Sequence, residues 1–211
     1  MKFPLLSIDG TKSNTIEVSD KMVKLKVNYK LIKFVIDWQL NISKPRTAKT
    51  KQRNQIRGST KKIVAQKGSG GARHASKKAP IFVGGGIAHG PKGKAYKIKK
   101  INKKVKKIAL AQTLSKKNSD KNLYILADVK KEIKKTKEFN KFLQKNNLAN
   151  VLIISDNDSL KNINKSARNI KNVKLIKHEG TNIYDIFKYK NVIMTTTSIK
   201  KLQERILNEK N

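Results

Sequence analysis

Cysteine is absent from the 211 residues, which excludes disulfides, thiolate catalysis and cysteine-ligated zinc. Acidic residues are scarce: 14 Asp and Glu stand against 50 Lys and Arg, a formal net charge of +36. An imbalance of that size calls for a polyanionic partner, with nucleic acid well ahead of a membrane surface. Aromatic residues make up only 6%, and neither zinc-finger spacing nor the aromatic pattern of an RNA-recognition sheet is present. Recognition by backbone charge and RNA shape is therefore expected, more than base stacking on a sheet. No apolar run approaches the ~20 residues that cross a bilayer. The opening MKFPLLSIDG has too short an apolar stretch for a secretory signal and is followed by acids. A soluble, cytoplasmic protein with no membrane partner is expected.

What is present is concentrated in one zone. Residues 44 to 107 hold 21 Lys and Arg and no Asp or Glu, and no acid occurs anywhere between Asp37 and Asp120. Nine of the eleven glycines and three of the four prolines also lie between Pro45 and Gly93. The apolar islands there, Ile63–Val64 and Ile81–Phe82–Val83, are too small for an independent core. Like charges at this density repel one another in water, so order is expected only when an anionic backbone neutralises them. The paired lysines Lys99–Lys100, Lys103–Lys104 and Lys106–Lys107 continue the zone. A merely solvated helix face would mix both signs.

Around this zone the pattern is regular. Thr15 to Ser19 reads as a half-buried strand, and Tyr29 to Ile42 as a helix with a broad apolar face, ended by Pro45. Ile101, Val105, Ile108, Ala109 and Leu114 mark a second helix. Short apolar runs then alternate with amphipathic stretches. Leu123–Ala127, Val151–Ile154, Val173–Ile176 and Val192–Met194 read as strands. Helices are expected after caps at Thr136, at Asp158, and at Thr196 or Thr197, with a short one at Ile183, Ile186 and Phe187. This alternation predicts an α/β fold: a three-layer α/β/α domain with a mostly parallel sheet of about four strands, from residues 1–43 and 98–211. Residues 44–97 form a long basic extended loop with its tip near 64–74.

No catalytic set emerges. Gly68-Ser69-Gly70-Gly71 neither follows a strand nor opens a periodic helix, and Gly84-Gly85-Gly86 to Gly90-Pro91-Lys92 lacks the Gly-Lys-Ser/Thr ending of a P-loop. Such glycines let the backbone pass close to another backbone, here expected to be a phosphodiester one. His74, His89 and His178 have no carboxylate or second histidine at dyad or ligand spacing. The first two are expected to meet RNA or water, the third to be solvated. Asp156 and Asp158 after the Val151–Ile154 run are read as helix caps. No enzyme activity, cofactor or metal site is expected. The rivals are an α/β RNA-modifying enzyme with a basic substrate-binding arm and a general nucleic-acid compaction protein.

A set of residues gives a closer comparison. Lys51–Gln52–Arg53, Gly58–Ser59 and Lys61–Lys62 are followed by Gln66–Lys67–Gly68–Ser69–Gly70 and Ala72–Arg73. Then come Ser76, Pro80–Ile81–Phe82, Gly85–Gly86, Asn102–Lys103–Lys104 and Ala109–Leu110. In order and spacing this resembles the bacterial-type large ribosomal subunit protein L-four family. The chain departs from the family pattern at Val64, where an aromatic is usual, at Ala65, near a usual basic residue, and at Gly71, usually Arg; the tip is correspondingly less bulky and less charged. The resemblance implies a structural constituent of the large subunit that binds its rRNA and acts early in assembly. It implies phosphate contacts from Lys49, Lys51, Arg53, Arg57, Lys61, Lys62, Lys67, Arg73, Lys77, Lys78, Lys92, Lys103 and Lys104. It further implies a tip of Gln66, Lys67, Gly68, Ser69, Gly70, Gly71, Ala72 and Arg73 lining the nascent-peptide exit tunnel. The implied partners are large-subunit rRNA, neighbouring ribosomal proteins including L-twenty-two, and the nascent polypeptide. A homo-oligomer is not implied, and the location is the bacterial cytoplasm or an organelle.

Overall fold

A computed structural model describes residues 1–7, 12–93, 100–129 and 132–207. The chain divides into two compact units, Met1–Leu40 with Lys100–Asn211, and Asn41–Lys99. The expected change of character at residues 97 and 98, and the lysine at 99, lie outside the described residues.

The first unit opens with β1 (Lys2–Leu6) and β2 (Lys12–Glu17), an antiparallel pair whose register shifts between Pro4 and Leu5. Proline cannot donate to a ladder, so it sits where the pairing is irregular. Helices α1 (Asp20–Val23), α2 (Tyr29–Ser43) and α3 (Lys103–Ser119) come next. A regular alternation completes the unit: β3 (Leu123–Leu126), α4 (Thr136–Lys145), β4 (Val151–Ser155), α5 (Asn157–Ala167), β5 (Val173–Lys177), α6 (Ile183–Lys188), β6 (Asn191–Thr195) and α7 (Thr196–Leu207). The strand order is β2-β1-β3-β6-β4-β5, parallel throughout except for the β1–β2 edge.

The sheet therefore has six strands, where about four were expected. The additional pair is the N-terminal hairpin. Its second strand was expected at Thr15–Ser19 but runs from Lys12 to Glu17. The three-layer α/β/α arrangement holds. Period-two alternation sends Leu152, Ile154, Val192 and Met194 to one face with residues of α1, α2, α3, α6 and α7. Val151, Ile153 and Ile193 go to the other face with Phe139, Phe142 and Leu143 of α4 and Ile163 of α5. Every residue of β4 and β6 is buried, as a strand covered on both faces must be. The chain steps from β3 past the position of β6 to β4, on to β5, then back to β6. The outward helices α4 and α5 share one face and the returning α6 takes the other, as crossovers of a single hand require.

Several expected details differ. Ile108 and Phe187 are about half exposed and are not core residues. The cap of α5 is Asp156, not Asp158; α4 is preceded by Lys135, with Thr136 already inside the helix. At α7 neither Thr196 nor Thr197 caps. The Ser198 amide donates to Thr195 Oγ1 at 3.4 Å, and Asp128 accepts from the Thr197 amide at 3.0 Å and its hydroxyl at 2.6 Å. Asp128 thus holds the start of α7, while the Asp156 carboxylate accepts from the Thr195 hydroxyl at 3.3 Å. His178 is half buried rather than solvated, with an Nδ1 that has no hydrogen-bond partner among the described residues.

Two buried polar contacts fasten α6. The Lys174 ammonium donates to both Asp185 oxygens at 2.7 Å, while Asp185 and Asn182 form reciprocal bonds at the helix start. From α3, Lys117 donates to the carbonyls of Tyr189 and Lys190 at 2.6 and 3.1 Å. Burial pushes the Lys117 ammonium below the ordinary lysine pKa, so the two carbonyls supply what water would otherwise give. Replacing Lys117 with Met strands both acceptors. Urea titration of Lys117→Met is expected to show a loss of about 1–3 kcal/mol. The exposed control Lys141→Met, which removes the same charge, is expected to stay within about 0.5 kcal/mol of the parent.

Candidate nucleic-acid interface

Residues 41–93 build their unit almost entirely from backbone. Its base is a pair of antiparallel segments. Lys49 and Lys92 form an isolated β-bridge, the Thr50 amide donates to the Pro91 carbonyl at 2.9 Å, and the Ile87 amide donates to the Lys51 carbonyl at 3.0 Å. A single 3-10 turn spans Arg53–Gln55, closed by reciprocal bonds between Gln52 and Gln55. A ladder of turns follows farther along: Ala79 to Ser76, Phe82 to Ala79, and Gly85 to Phe82, each amide donating backwards. Higher up, the Ile63 amide donates to the Ala75 carbonyl at 3.1 Å. Residues 64–74 lie beyond that bond.

The glycines explain how these segments fit. A Cβ on Gly86 would lie 2.2 Å from the Arg53 nitrogen, and one on Gly85 2.0 Å from the Ala79 carbonyl oxygen. No side chain fits either place. The close approach of backbones expected of this glycine run is, at Gly85 and Gly86, made to the chain's own backbone, which corrects the phosphodiester reading at those two positions. Gly68 and Gly70 differ: both have positive φ, and nothing comes within 4 Å of an added Cβ.

Side chains contribute little to this unit. Among its described residues only Gly86 and Gly93 are buried. Ile81 is 70% exposed and Val83 fully so. The His74 ring meets the edge of Phe82 at 5.0 Å, so His74 is tied down rather than free for solvent. With no side chain buried, the hydrophobic effect gives this unit almost nothing.

Of the thirteen cations expected to meet phosphate, twelve are exposed: Lys49, Lys51, Arg53, Arg57, Lys61, Lys62, Lys67, Arg73, Lys77, Lys92, Lys103 and Lys104; Lys78 is half buried. None has a carboxylate partner among the described residues. Lys62 instead donates to the Gln66 amide oxygen. Arg57, Lys61, Lys62, Lys77 and Lys78 come together around one hollow of about 580 Å³, with Ser59, Ile63 and Val83. Lys49 and Lys92 meet at the base. Gln66, Lys67, Gly68, Ser69, Gly70, Gly71, Ala72 and Arg73 are all exposed beyond the Ile63–Ala75 bond. Val64 is half buried and Ala65 exposed. Sequence reasoning missed Val83 as a wall of the basic hollow; its place in an acid-free run offered only weak notice.

Lys103 and Lys104 belong to the other unit. They occupy the first turn of α3, which holds no acid. A helix N-terminus carries about half a positive charge and favours anions, so lysines there work against the helix. The local rule is broken at the point where the acid-free zone joins the body, as expected where an external anion supplies the missing charge. Among the described residues no group of three or more His, Cys, Asp or Glu could hold a metal ion, and no helix is long and apolar enough to cross a membrane.

A family model described as "Ribosomal protein L4/L1 family" matches residues 16–205. The chain belongs to this family. Similar curated proteins include one from Pelagibacter ubique, 51% identical over 97% of this chain and 99% of that protein. Another, from Desulforapulum autotrophicum, is 37% identical over 95% of this chain and 96% of its own length. A third, from Hyphomonas neptunium, is 33% identical over 97% of this chain and 96% of the relative. All three bear the name "Large ribosomal subunit protein uL4". The ribosomal family membership covers the α/β unit and the basic unit alike.

The Gly86 contact generates a test. Gly86→Ala forces the 76–86 turns away from Arg53. Its affinity for large-subunit rRNA is expected to fall about tenfold, roughly 1.4 kcal/mol, in filter-binding titrations. Thermal unfolding of the α/β unit is expected to remain unchanged.

Proposed function

We propose that this chain is a structural, non-catalytic constituent of the bacterial large ribosomal subunit. Its α/β unit anchors it, and residues 44–97 pass into folded rRNA. The observation that carries this reading is a set of exposed cations that have no carboxylate partner among the described residues, on a unit whose described residues bury no side chain, in a member of a ribosomal family. Phosphates supply the charge that this zone lacks, and folded RNA supplies the surface against which Ile81 and Val83 lose water.

In this reading Lys49, Lys51, Arg53, Arg57, Lys61, Lys62, Lys77, Lys78 and Lys92 meet phosphates along the legs, with Lys103 and Lys104 continuing the contact on the body. Gln66 to Arg73 form the tip and line the exit tunnel opposite the L-twenty-two protein. Small residues at Gly68, Ser69, Gly70 and Gly71 suit a wall past which a peptide must slide. Binding accompanies early subunit assembly in the bacterial cytoplasm. Phosphate contacts fix position without reading sequence, so preference for rRNA comes from shape.

Three experiments test the proposal. If about eight phosphates are neutralised, log affinity for rRNA falls with log salt at a slope of roughly −7. A slope near zero rejects the electrostatic reading. Duplex DNA of matched length is expected to bind more weakly at the same salt; equal affinity favours general compaction instead. Deleting residues 60–78 is expected to leave the α/β unit folded by circular dichroism. Large subunits assembled with that variant are expected to sediment abnormally or form in reduced yield.

A further inference from the structure

The α/β unit carries a feature that the basic segment does not explain. Between α2 and α6 lies a hollow of about 500 Å³ lined by Tyr29, Lys33, Ile36, Tyr184, Phe187 and Lys188, among others. That volume is in the range of ligand clefts, about 300–1,000 Å³. Its floor is secured, because α2 buries Ile32 and Val35, and Gln39 accepts the Tyr184 amide at 3.0 Å. Its rim is open. Tyr29 is 57% exposed and Phe187 is 48% exposed, large aromatic area left in water when both helices have already packed.

The rim is also cationic. Lys188 Nζ lies 5.9 Å from the Tyr184 ring, and Lys116 Nζ, itself paired with Asp120 at 2.9 Å, lies 5.9 Å from the Tyr29 ring. Lys33 is exposed on the same hollow. The acid of α6, Asp185, is buried and held by Lys174 and Asn182. One exposed carboxylate of α2, Asp37, stands one turn beyond Lys33. Open ring faces flanked by ammonium groups, on a chain of net charge +36, complement a strand that presents flat bases and phosphates together. A basic or neutral apolar peptide would leave Lys33 and Lys188 without a counter-charge.

We propose that the α2–α6 groove is a second RNA contact, taking one or two unpaired nucleotides. Their bases stack on Tyr29 and Phe187, and their phosphates meet Lys33 and Lys188. This contact differs in kind from the basic segment. It reads unstacked bases, whereas the segment reads backbone charge. It does not depend on the loop reading, and it adds base stacking between two helices to a recognition expected to rest on backbone charge and RNA shape.

The test uses the full chain with its loop intact and large-subunit rRNA as the probe. The double variant Tyr29→Leu with Phe187→Leu keeps apolar bulk and removes the ring faces. It is expected to lose about tenfold or more in rRNA affinity, since base stacking is worth about 1–3 kcal/mol per base, with the salt slope unchanged. The double variant Lys33→Gln with Lys188→Gln is expected to reduce the slope by about 1.4, the value for two phosphates of a single strand. A photoreactive phenylalanine analogue at position 187, in subunits assembled with the full chain, is expected to crosslink to an unpaired rRNA nucleotide. That readout does not depend on the variants' stability. Wild-type affinity in the leucine variant overturns the proposal, as does a crosslink to a protein or to nothing. If deletion of 60–78 weakens binding while the groove variants do not, the groove proposal falls and the loop reading stands.

Discussion

Twenty-one ammonium and guanidinium groups between residues 44 and 107, with no carboxylate among them, set the terms for the rest of the structure. Each pair of like charges a few ångströms apart costs of order 1 kcal/mol even in water and more near a protein surface. No arrangement of this chain alone removes that cost, because its 14 acids all lie elsewhere. The unit that carries most of these cations answers with backbone contacts. A β-bridge, a few turns and two glycines pressed against other main chain hold it, and no side chain is buried among its described residues. Such a unit can hold a shape in outline, but the cohesion of a core must come from outside.

The α/β unit is organised on the opposite principle. Its central strands β4 and β6 are buried on both faces, and the Asp128 carboxylate sits at the start of α7, where a backbone donor needs it. It buries what the other unit exposes and pairs what the other leaves unpaired. Separating the two tasks lets a stable scaffold carry a segment that would be unstable as a domain. At the start of α3, Lys103 and Lys104 make a helix of the scaffold accept an unfavourable dipole interaction.

The sequence made much of this legible. Valine- and isoleucine-rich runs alternating with amphipathic stretches announce parallel strands and covering helices, and four of the six strands follow from them. The N-terminal hairpin was half hidden because β1 is short and carries Pro4, a residue that argues against a strand unless the register is irregular there. Capping was misplaced where chemistry was read without register. Thr136 and Asp158 have the right side chains, yet the chain enters its helix one or two residues earlier. At α7 the decisive acceptor, Asp128, is 69 residues away in sequence. Within the candidate interface the cations were plain from composition, since their exposure follows from the absence of anything to bury them. The role of Gly85 and Gly86 was not, because a glycine's neighbour is a matter of tertiary placement. Phe187 marks a short helix by its spacing with Ile183 and Ile186, and its exposure beside Tyr29 could be seen only once α2 and α6 were placed together.

Amide hydrogen exchange on the full chain, with and without large-subunit rRNA, tests the central claim most directly. Without RNA, amides of residues 44–93 are expected to exchange at nearly unprotected rates, while those of β3, β4 and β6 are strongly protected. Adding rRNA is expected to slow the 44–93 amides by about a hundredfold or more, which corresponds to roughly 2.7 kcal/mol of imposed order. Protection of those amides that is already complete in the absence of any polyanion would contradict the account.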